Sequence, residues 1–427
     1  MKILMTNHAL HARGGSESYL ETVSTELRKL GHEVCFYSPS CGAMAESLRA
    51  GGFTVHDDVG DVPVDIDVIH GQHASAVGLV RTRLPRTPLV FVCHSWLVNS
   101  LEDPVVELAA AAHVVFNDLT LRRVRAHAAG AGVPVHRLTQ PVSVSFGDGA
   151  RSPVSEVPRR AVAVSRRMIT LPARLAAACA ELGIEFSWVG GPDSDEADAR
   201  HSMFAADLVI GMGRTALEAM AAARPVLVMD EAFNAGWVTD ASYLAIEADG
   251  FTGIEAPRAE PDLVRLLGQY DAALGTLGRK LVSRHHLAQH HAARLVEVYT
   301  AAADVPEEGR AAARDASTVA QLTADRFSLE DRLLRSEWRA ASLERALAEA
   351  LAERQHFLDE LEVRRVHVSD LEKELDLVRG QRDQARERRQ RTAKRLKQAV
   401  RERDQAQERL EQLSSASTGR FRLRRIR

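Results

Sequence analysis

The stretch Gly211-Met-Gly-Arg-Thr-Ala-Leu-Glu-Ala-Met-Ala-Ala-Ala-Arg-Pro-Val226 joins a glycine turn to a helical segment and then to an apolar strand, Pro225-Val-Leu-Val-Met229. Glycine at 211 and 213 lets backbone N–H groups approach a ligand closely, and a helix beginning near Thr215 aims its positive end at the same place, which suits a phosphate. The competing local reading is a Thr215/Glu218 capping box in front of alanines that are simply good helix formers.

The pattern around this stretch is an alternation of strands and helices. Lys2-Ile-Leu-Met-Thr6 is a short apolar strand leading through Gly14-Gly15 into an amphipathic helix from about Ser16 to Leu30, stopped by Gly31. Val34–Tyr37, Asp67–Ile69, Leu89–Val92 and His113–Phe116 are further strands of the doubly buried kind. After a Pro/Ser/Gly-bearing linker from about Ser143 to Pro158, the strands Ala161–Val164, Phe186–Val189, Leu208–Ile210 and Val226–Val228 repeat the rhythm. Continuous apolar runs alternating with helices predict parallel sheets covered on both faces, with ligands at the strand carboxyl ends.

Gly-x-Gly-x-x-x-Leu-Glu-Ala-Met-Ala followed by Pro-Val resembles the nucleotide-sugar motif of GT-B glycosyltransferases, in particular the large retaining family 4. The resemblance covers about the first 300 residues and implies two facing Rossmann-like domains. These are an acceptor-side domain over 1–150 and a nucleotide-sugar-binding domain over 151–304. By the same resemblance Glu218 contacts the donor ribose, and Gly211, Gly213 and Thr215 face the diphosphate. His8-Ala-Leu-His-Ala-Arg-Gly-Gly-Ser-Glu17 resembles the family's first glycine loop, placing Gly14 and Gly15 near donor or acceptor; a plain turn capped by Ser16 is the alternative. His94, ending Leu89-Val-Phe-Val-Cys-His94, stands where the family carries a histidine close to the transferred sugar; a polar strand-end residue without chemistry is the alternative. His70 ends its strand in the same way and is read as a polar strand end without chemistry.

Three departures from the family stand out. Family members clamp the diphosphate with an Arg and a nearby Lys; Arg166 or Arg167 supplies the first, but no lysine occurs between Lys29 and Lys280, leaving Arg214 as the substitute cation. A guanidinium grips phosphate in a bidentate way that a lysine does not imitate. The first carboxylate of the family's Glu-x7-Glu pattern falls on Ile210. The interval between Gly190-Gly191 and the strand before the motif is short, so one strand–helix unit is expected to be missing. Gly236-Trp-Val-Thr-Asp240 and Gly250-Phe-Thr-Gly253 resemble divergent members of the family and favour a subgroup over a decayed domain.

From about Val319 to Leu413 the periodicity changes to heptads. With Val319 at a, the a positions include Leu333, Leu347, Leu361, Val368, Leu375, Leu396 and Leu410. The d positions include Leu322, Leu329, Leu343, Phe357, Leu371, Val378 and Leu413. This predicts a coiled coil over 305–415 and a homo-oligomer, with Arg326, Arg354, Arg364, Arg382, Arg389 and Arg403 loosening the seam or turning outward. The basic segment after Arg379 and the tail over 416–427, ending Arg420-Phe-Arg-Leu-Arg-Arg-Ile-Arg427, suit an anionic membrane surface or a solvated end.

Composition narrows the function. The 427 residues carry a net charge of −3, with 45% hydrophobic and 5% aromatic residues, so two or three domains are expected. Cys35, Cys41, Cys93 and Cys179 lack metal or redox spacing, and the apolar runs fall short of a membrane span. A cytoplasmic setting, with peripheral attachment to the inner membrane face as a variant, fits. No nucleic-acid motif accompanies the basic tail, and no GxGxxG fingerprint supports NAD.

His285, His286, His290 and His291 have metal-capable spacing on a helix but no accompanying Glu, and are read as surface histidines; Asp65-Ile-Asp67 precedes a strand rather than following one. No metal and no cofactor are expected beyond a nucleotide diphosphate sugar as donor substrate. The functional expectation is transfer of a sugar from that donor to a glycan or glycolipid acceptor. A nucleotide-sugar-binding scaffold working through its coiled coil is the rival, and a nucleotide-sugar epimerase a weaker third.

Overall fold

The computed structural model describes residues 1–12, 14–95, 101–128, 132–143, 146, 152–165, 168, 170–190, 197–256, 261–306 and 314–420. In chain order the strands are β1 (Lys2–Thr6), β2 (Glu33–Tyr37), β3 (Thr54–His56), β4 (Val68–Gly71), β5 (Leu89–Cys93), β6 (Ala112–Val115), β7 (Val135–Arg137), β8 (Arg160–Val164), β9 (Glu185–Val189), β10 (Leu208–Gly211), β11 (Val226–Met229) and β12 (Asn234–Trp237). The helices are α1 (Gly15–Lys29), α2 (Ala43–Ala50), α3 (Ala74–Arg83), α4 (Asp118–Ala128), α5 (Leu171–Glu181), α6 (Ala197–Ala205), α7 (Arg214–Ala221), α8 (Tyr243–Ala248), α9 (Leu263–Leu267), α10 (Ala273–His285), α11 (Ala288–Ala303) and α12 (Ala316–Arg420). The chain divides into a compact unit, Met1–Ser342, and a second unit, Leu343–Arg427, that is helical through Arg420.

The first sheet runs β3-β2-β1-β4-β5-β6-β7, parallel throughout. The second runs β12-β11-β10-β8-β9, parallel except for β12, which pairs antiparallel with β11. These are the two α/β domains expected of a GT-B chain, followed by a long helix. Helices cover both faces of each sheet, which is why the strands read as unbroken apolar runs: Ile3 and Met5 enter one core cluster while Leu4 enters the cluster behind the sheet. Val209 and its neighbours Leu208 and Ile210 divide the same way in the second sheet. Among the described residues β9 is an edge strand, and only α6 intervenes before β10, in keeping with an omitted strand–helix unit.

In both sheets the strand order reverses once, between β1 and β4 in the first and between β8 and β10 in the second. A crevice opens at such a point outside the strand carboxyl ends, because the flanking connections leave to opposite sides. The segments facing these crevices are Asn7–His8 with Gln72–His73, and Ser165 with Gly211–Gly213.

α11 follows the second sheet in sequence yet buries its apolar face in the first domain. Ala292, Leu295, Val298, Tyr299 and Ala302 share a cluster with Leu20, Val23 and Leu27 of α1. The i, i+3, i+4, i+7 spacing of these residues makes one stripe, and α1 is its partner.

The start of α12 also belongs to the first unit. Ala320 is buried, Val319 packs against the core behind the first sheet, and the ring of Phe327 meets that of His8 edge-on at 5.2 Å. Gly78 on α3 makes this possible, since a Cβ there would lie 2.8 Å from Ala316 O and 2.9 Å from Ala320 Cβ. Val319, expected in the seam, is therefore spent on the domain. Beyond it Leu322, Leu329, Leu333, Phe357, Leu361, Val368, Leu371, Leu375, Leu396, Leu410 and Leu413 are exposed along a single helix. The seam arginines Arg326, Arg364, Arg382 and Arg403 pair with Glu330, Glu360, Asp383 and Asp404 on the same helix. Among the described residues no helix is long and apolar enough to cross a membrane.

Candidate functional site

On the second-domain side, β10 ends at Gly211 and α7 begins at Arg214, with Gly213 as N-cap at φ 58°, ψ −126°. That conformation is open to glycine and costly for any residue with a Cβ. Gly211 is required for a different reason: a Cβ would lie 2.6 Å from Thr215 Cγ2 and 3.1 Å from Val164 O. The Gly213 N–H donates to Phe251 O at 2.8 Å, pinning the turn.

No side chain caps α7, so the Thr215/Glu218 capping box does not form. Glu218 instead pairs with Arg214, whose Nε donates to Glu218 Oε1 at 2.8 Å. The guanidinium reaches further, to Pro141 O at 3.3 Å and to Thr22 Oγ1 on α1 at 3.1 Å. One side chain thus ties the second-domain motif to the helix that starts at Gly14-Gly15.

Gly14 is the extended N-cap of α1 (φ −123°, ψ −169°), a backbone any residue adopts. A Cβ on Gly15 would meet nothing within 4 Å, while one on Gly14 would lie 2.5 Å from Glu17 Oε2, the end of a flexible side chain. Ile210 is fully buried between Ala163 and Leu227 in an apolar cluster. A carboxylate at that position would be buried without a partner, which accounts physically for its absence. Arg166 and Arg167 lie outside the described residues.

On the first-domain side, histidines gather at the strand ends. His8 N donates to His73 Nδ1 at 3.1 Å, and the His8 ring bonds Ser75 Oγ at 2.8 Å. His73, the N-cap of α3, is held at φ 63°, ψ 106°, a strained backbone for a residue with a side chain, and is buried. His94 follows β5, and its Nε2 is buried with no hydrogen-bond partner among the described residues. Burial, then the neighbouring His73, His70, Arg214 and His291, hold the His94 pKa well below its ordinary value, so the ring is neutral. Arg214 lies close enough to His94 to disfavour its charged form.

Glu102 is the residue that sequence reasoning missed. Its Oε2 accepts from His94 N at 2.7 Å and from Ser95 N, while its Oε1 lies 3.9 Å from His73 Nε2. Burial raises the pKa of this carboxyl. No local pattern announces it; only the return of the chain after β5 places Glu102 under the backbone of His94.

The reading of His286 and His291 as surface residues is corrected: both are buried. His286 bonds Gln140 O and Tyr243 Oη at 2.8 and 2.9 Å, and His291 bonds Thr139 O and Tyr19 Oη at 2.8 and 3.0 Å. They fasten the segment between the domains to α8, α11 and α1. His70 is likewise buried, 2.5 Å from Tyr299 Oη. Burial pushes the pKa of His70 and of His73 down to about 3, and that of His286 and of His291 to about 4. Among the described residues no cluster of three metal-ligating side chains occurs.

No family model matches this chain, and no curated protein matches it in sequence. Solved structures of similar shape include Anabaena Alr3699/HepE in complex with UDP and glucose, at 14% identity and a TM-score of 0.45, covering 70% of this chain and 99% of that one. An alpha-glucosyltransferase in complex with UDP is similar at 10% identity and a TM-score of 0.48, covering 70% and 99%. MurG of Acinetobacter baumannii is similar at 14% identity and a TM-score of 0.38, with the same shares.

Proposed function

We propose that the chain is a glycosyltransferase of GT-B type, moving a sugar from a nucleotide diphosphate donor to a glycan or glycolipid acceptor without a metal ion. The observation that carries this reading is the link at the crevices of the two sheets. The glycine turn and N-terminus of α7 open one crevice, the histidine cluster lines the other, and Arg214 bonds to the helix that begins at Gly14-Gly15.

In this reading the N–H groups of the first turn of α7, together with Arg214, stabilise the departing diphosphate, a preorganised electrostatic arrangement. Arg166 or Arg167 adds a second cation. Glu218 receives the ribose hydroxyls, its carboxylate already oriented by Arg214. His94 is neutral and offers Nε2 as a hydrogen-bonding group to the sugar side of the cleft. Family-4 membership and retention of anomeric configuration belong to the same proposal.

Glu218→Ala tests the donor half. Loss of a charge-assisted hydrogen bond to ribose costs about 1.5–3 kcal/mol, or roughly 10- to 150-fold in nucleotide diphosphate affinity by calorimetry. Equal affinity in a folded variant removes Glu218 from the site. The burial of Ile210 where the family carries a carboxylate favours a second reading, a nucleotide-sugar-binding scaffold. Binding without hydrolysis or transfer of any nucleotide sugar would select it.

We further propose that α12 pairs with a second copy of this chain as a coiled coil and that the basic tail contacts anionic membrane. Exposed Leu322, Leu329, Leu333, Phe357 and Leu361 keep one heptad register, and a lone solvated helix has no need of such a stripe. Light scattering of the full chain is expected to give a dimer mass, and Leu361→Asp with Leu371→Asp to shift it toward monomer. A monomer mass for the unaltered chain overturns this assignment.

A further inference from the structure

At the opposite end of α7 from Arg214, α10 borders an open hollow of about 540 Å³ lined by Ala223, Thr276, Arg279, Lys280, Ser283 and Arg284. Three of the six side chains are cationic, two are hydroxylic and none is acidic. The sequence contains no Asp or Glu from Ala272 to Val296. Two glycines hold α10 against α7. A Cβ on Gly275 would stand 2.3 Å from Ala223 O, and one on Gly278 would stand 3.1 Å from Met220 Cγ.

The three cations have different explanations. Arg279 donates to Ala221 O at 3.1 Å and so caps a carbonyl at the end of α7. Arg284 lies in the last turn of α10, where the helix dipole favours a positive charge. Lys280 has neither role. It stands one turn before Arg284, an i, i+4 like-charge pair that weakens a helix, and neither side chain has an ion-pair partner among the described residues. Two unpaired cations converging on one hollow, on a helix without acids, are arranged for an anion.

We propose that this hollow docks the phosphate headgroups of an anionic membrane, as a structured contact distinct from the C-terminal tail and independent of the transfer chemistry. The lining has no aromatic or large apolar side chain to enclose a nucleobase or sugar, as a small-molecule pocket does. An open cationic hollow suits instead a surface that presents many phosphates at once.

The test is co-sedimentation of the full-length protein with phosphatidylglycerol-containing and phosphatidylcholine vesicles. Wild type is compared with Lys280→Gln/Arg284→Gln, both in the natural chain and in a full-length chain with Arg420, Arg422, Arg424, Arg425 and Arg427 changed to Gln. Each cation near an anionic surface is worth about fivefold in affinity, so the double substitution is expected to weaken phosphatidylglycerol binding about twenty-five-fold in both backgrounds, at unchanged melting temperature. Absence of binding by wild type, or equal binding by wild type and the double variant, overturns the proposal. Calorimetry with inorganic phosphate is the second arm. Phosphate binding that the substitutions abolish while vesicle binding persists would assign the hollow to a soluble anion instead.

Discussion

If the chain is the glycosyltransferase proposed, Glu102→Ala is expected to lower sugar transfer about a hundredfold while leaving nucleotide diphosphate affinity within about twofold. The carboxylate lies beneath the chain after β5, where one oxygen accepts both the His94 and Ser95 N–H groups. Alanine leaves two backbone donors without their acceptor, at about 1–3 kcal/mol each when buried. The segment is then free to relax, and with it the ring of His94, whose buried Nε2 the proposed function assigns to the sugar. Displacing a reacting group by about 1 Å costs on the order of a hundredfold.

Because a single oxygen serves both donors, Glu102→Gln keeps the same acceptor and is expected to restore most of the rate. Steady-state kinetics of the two variants, with nucleotide binding as the control for folding, distinguish positioning from charge. Equal losses in the alanine and glutamine variants would mean that the negative charge beside His73 matters and the backbone contacts do not. No loss in either would remove the His94 segment from the reaction.

The parts of this molecule that were legible in its sequence are those governed by local rules. β1, β5, β8 and β10 are unbroken apolar runs because both faces of each sheet are covered, and their ends fall within a residue or two of where the runs stop. The turn before α7 was legible because Gly211 and Gly213 each have a steric or conformational reason to be glycine. β12 was not: Asn234-Ala-Gly-Trp237 has no alternation, and it is a strand only because it lies antiparallel along β11 at the sheet edge. The three-residue β3 likewise depends on its neighbour β2.

The site shows the same division. Arg214 and Glu218 are four residues apart on one helix, a pairing that spacing alone permits, but the reach of Arg214 to Thr22 joins residues from different domains. Glu102 and His73 matter through contacts that no motif records. His291 carries a signal of its burial in the sequence. It falls on the apolar stripe of α11 with Ala288, Ala292, Leu295 and Tyr299, and a histidine on such a stripe is a buried one. The heptad repeat is long, yet its first turns pack on the domain, because Gly78 admits the backbone of α12 where another residue would exclude it.

The largest loss of stability is expected from Asp207→Ala. Asp207 precedes β10 and is buried, and its carboxylate gathers the irregular segment that leads into β8. Oδ1 accepts from Ser155 N at 2.9 Å, and Oδ2 accepts from Arg159 N and Arg160 N at 2.8 and 2.9 Å. Alanine removes three charge-assisted hydrogen bonds and leaves three backbone donors to find other partners, a cost of about 3–5 kcal/mol after relaxation. For a domain of this size that is a fall of about 10 °C in Tm.

Burial by itself would raise the Asp207 pKa, but the three N–H groups and the Ser155 side chain outweigh it and the carboxyl titrates below its ordinary value. A folded-state pKa below the unfolded value of about 4 means that this stabilisation is fully present above that pH and is lost as the pH falls through the folded value. Urea titrations of wild type and Asp207→Ala should therefore differ by the full amount at pH 7 and draw together on acidification below about pH 4. A gap that stays constant across that range would show that the carboxylate charge is not what holds residues 155–160 in place.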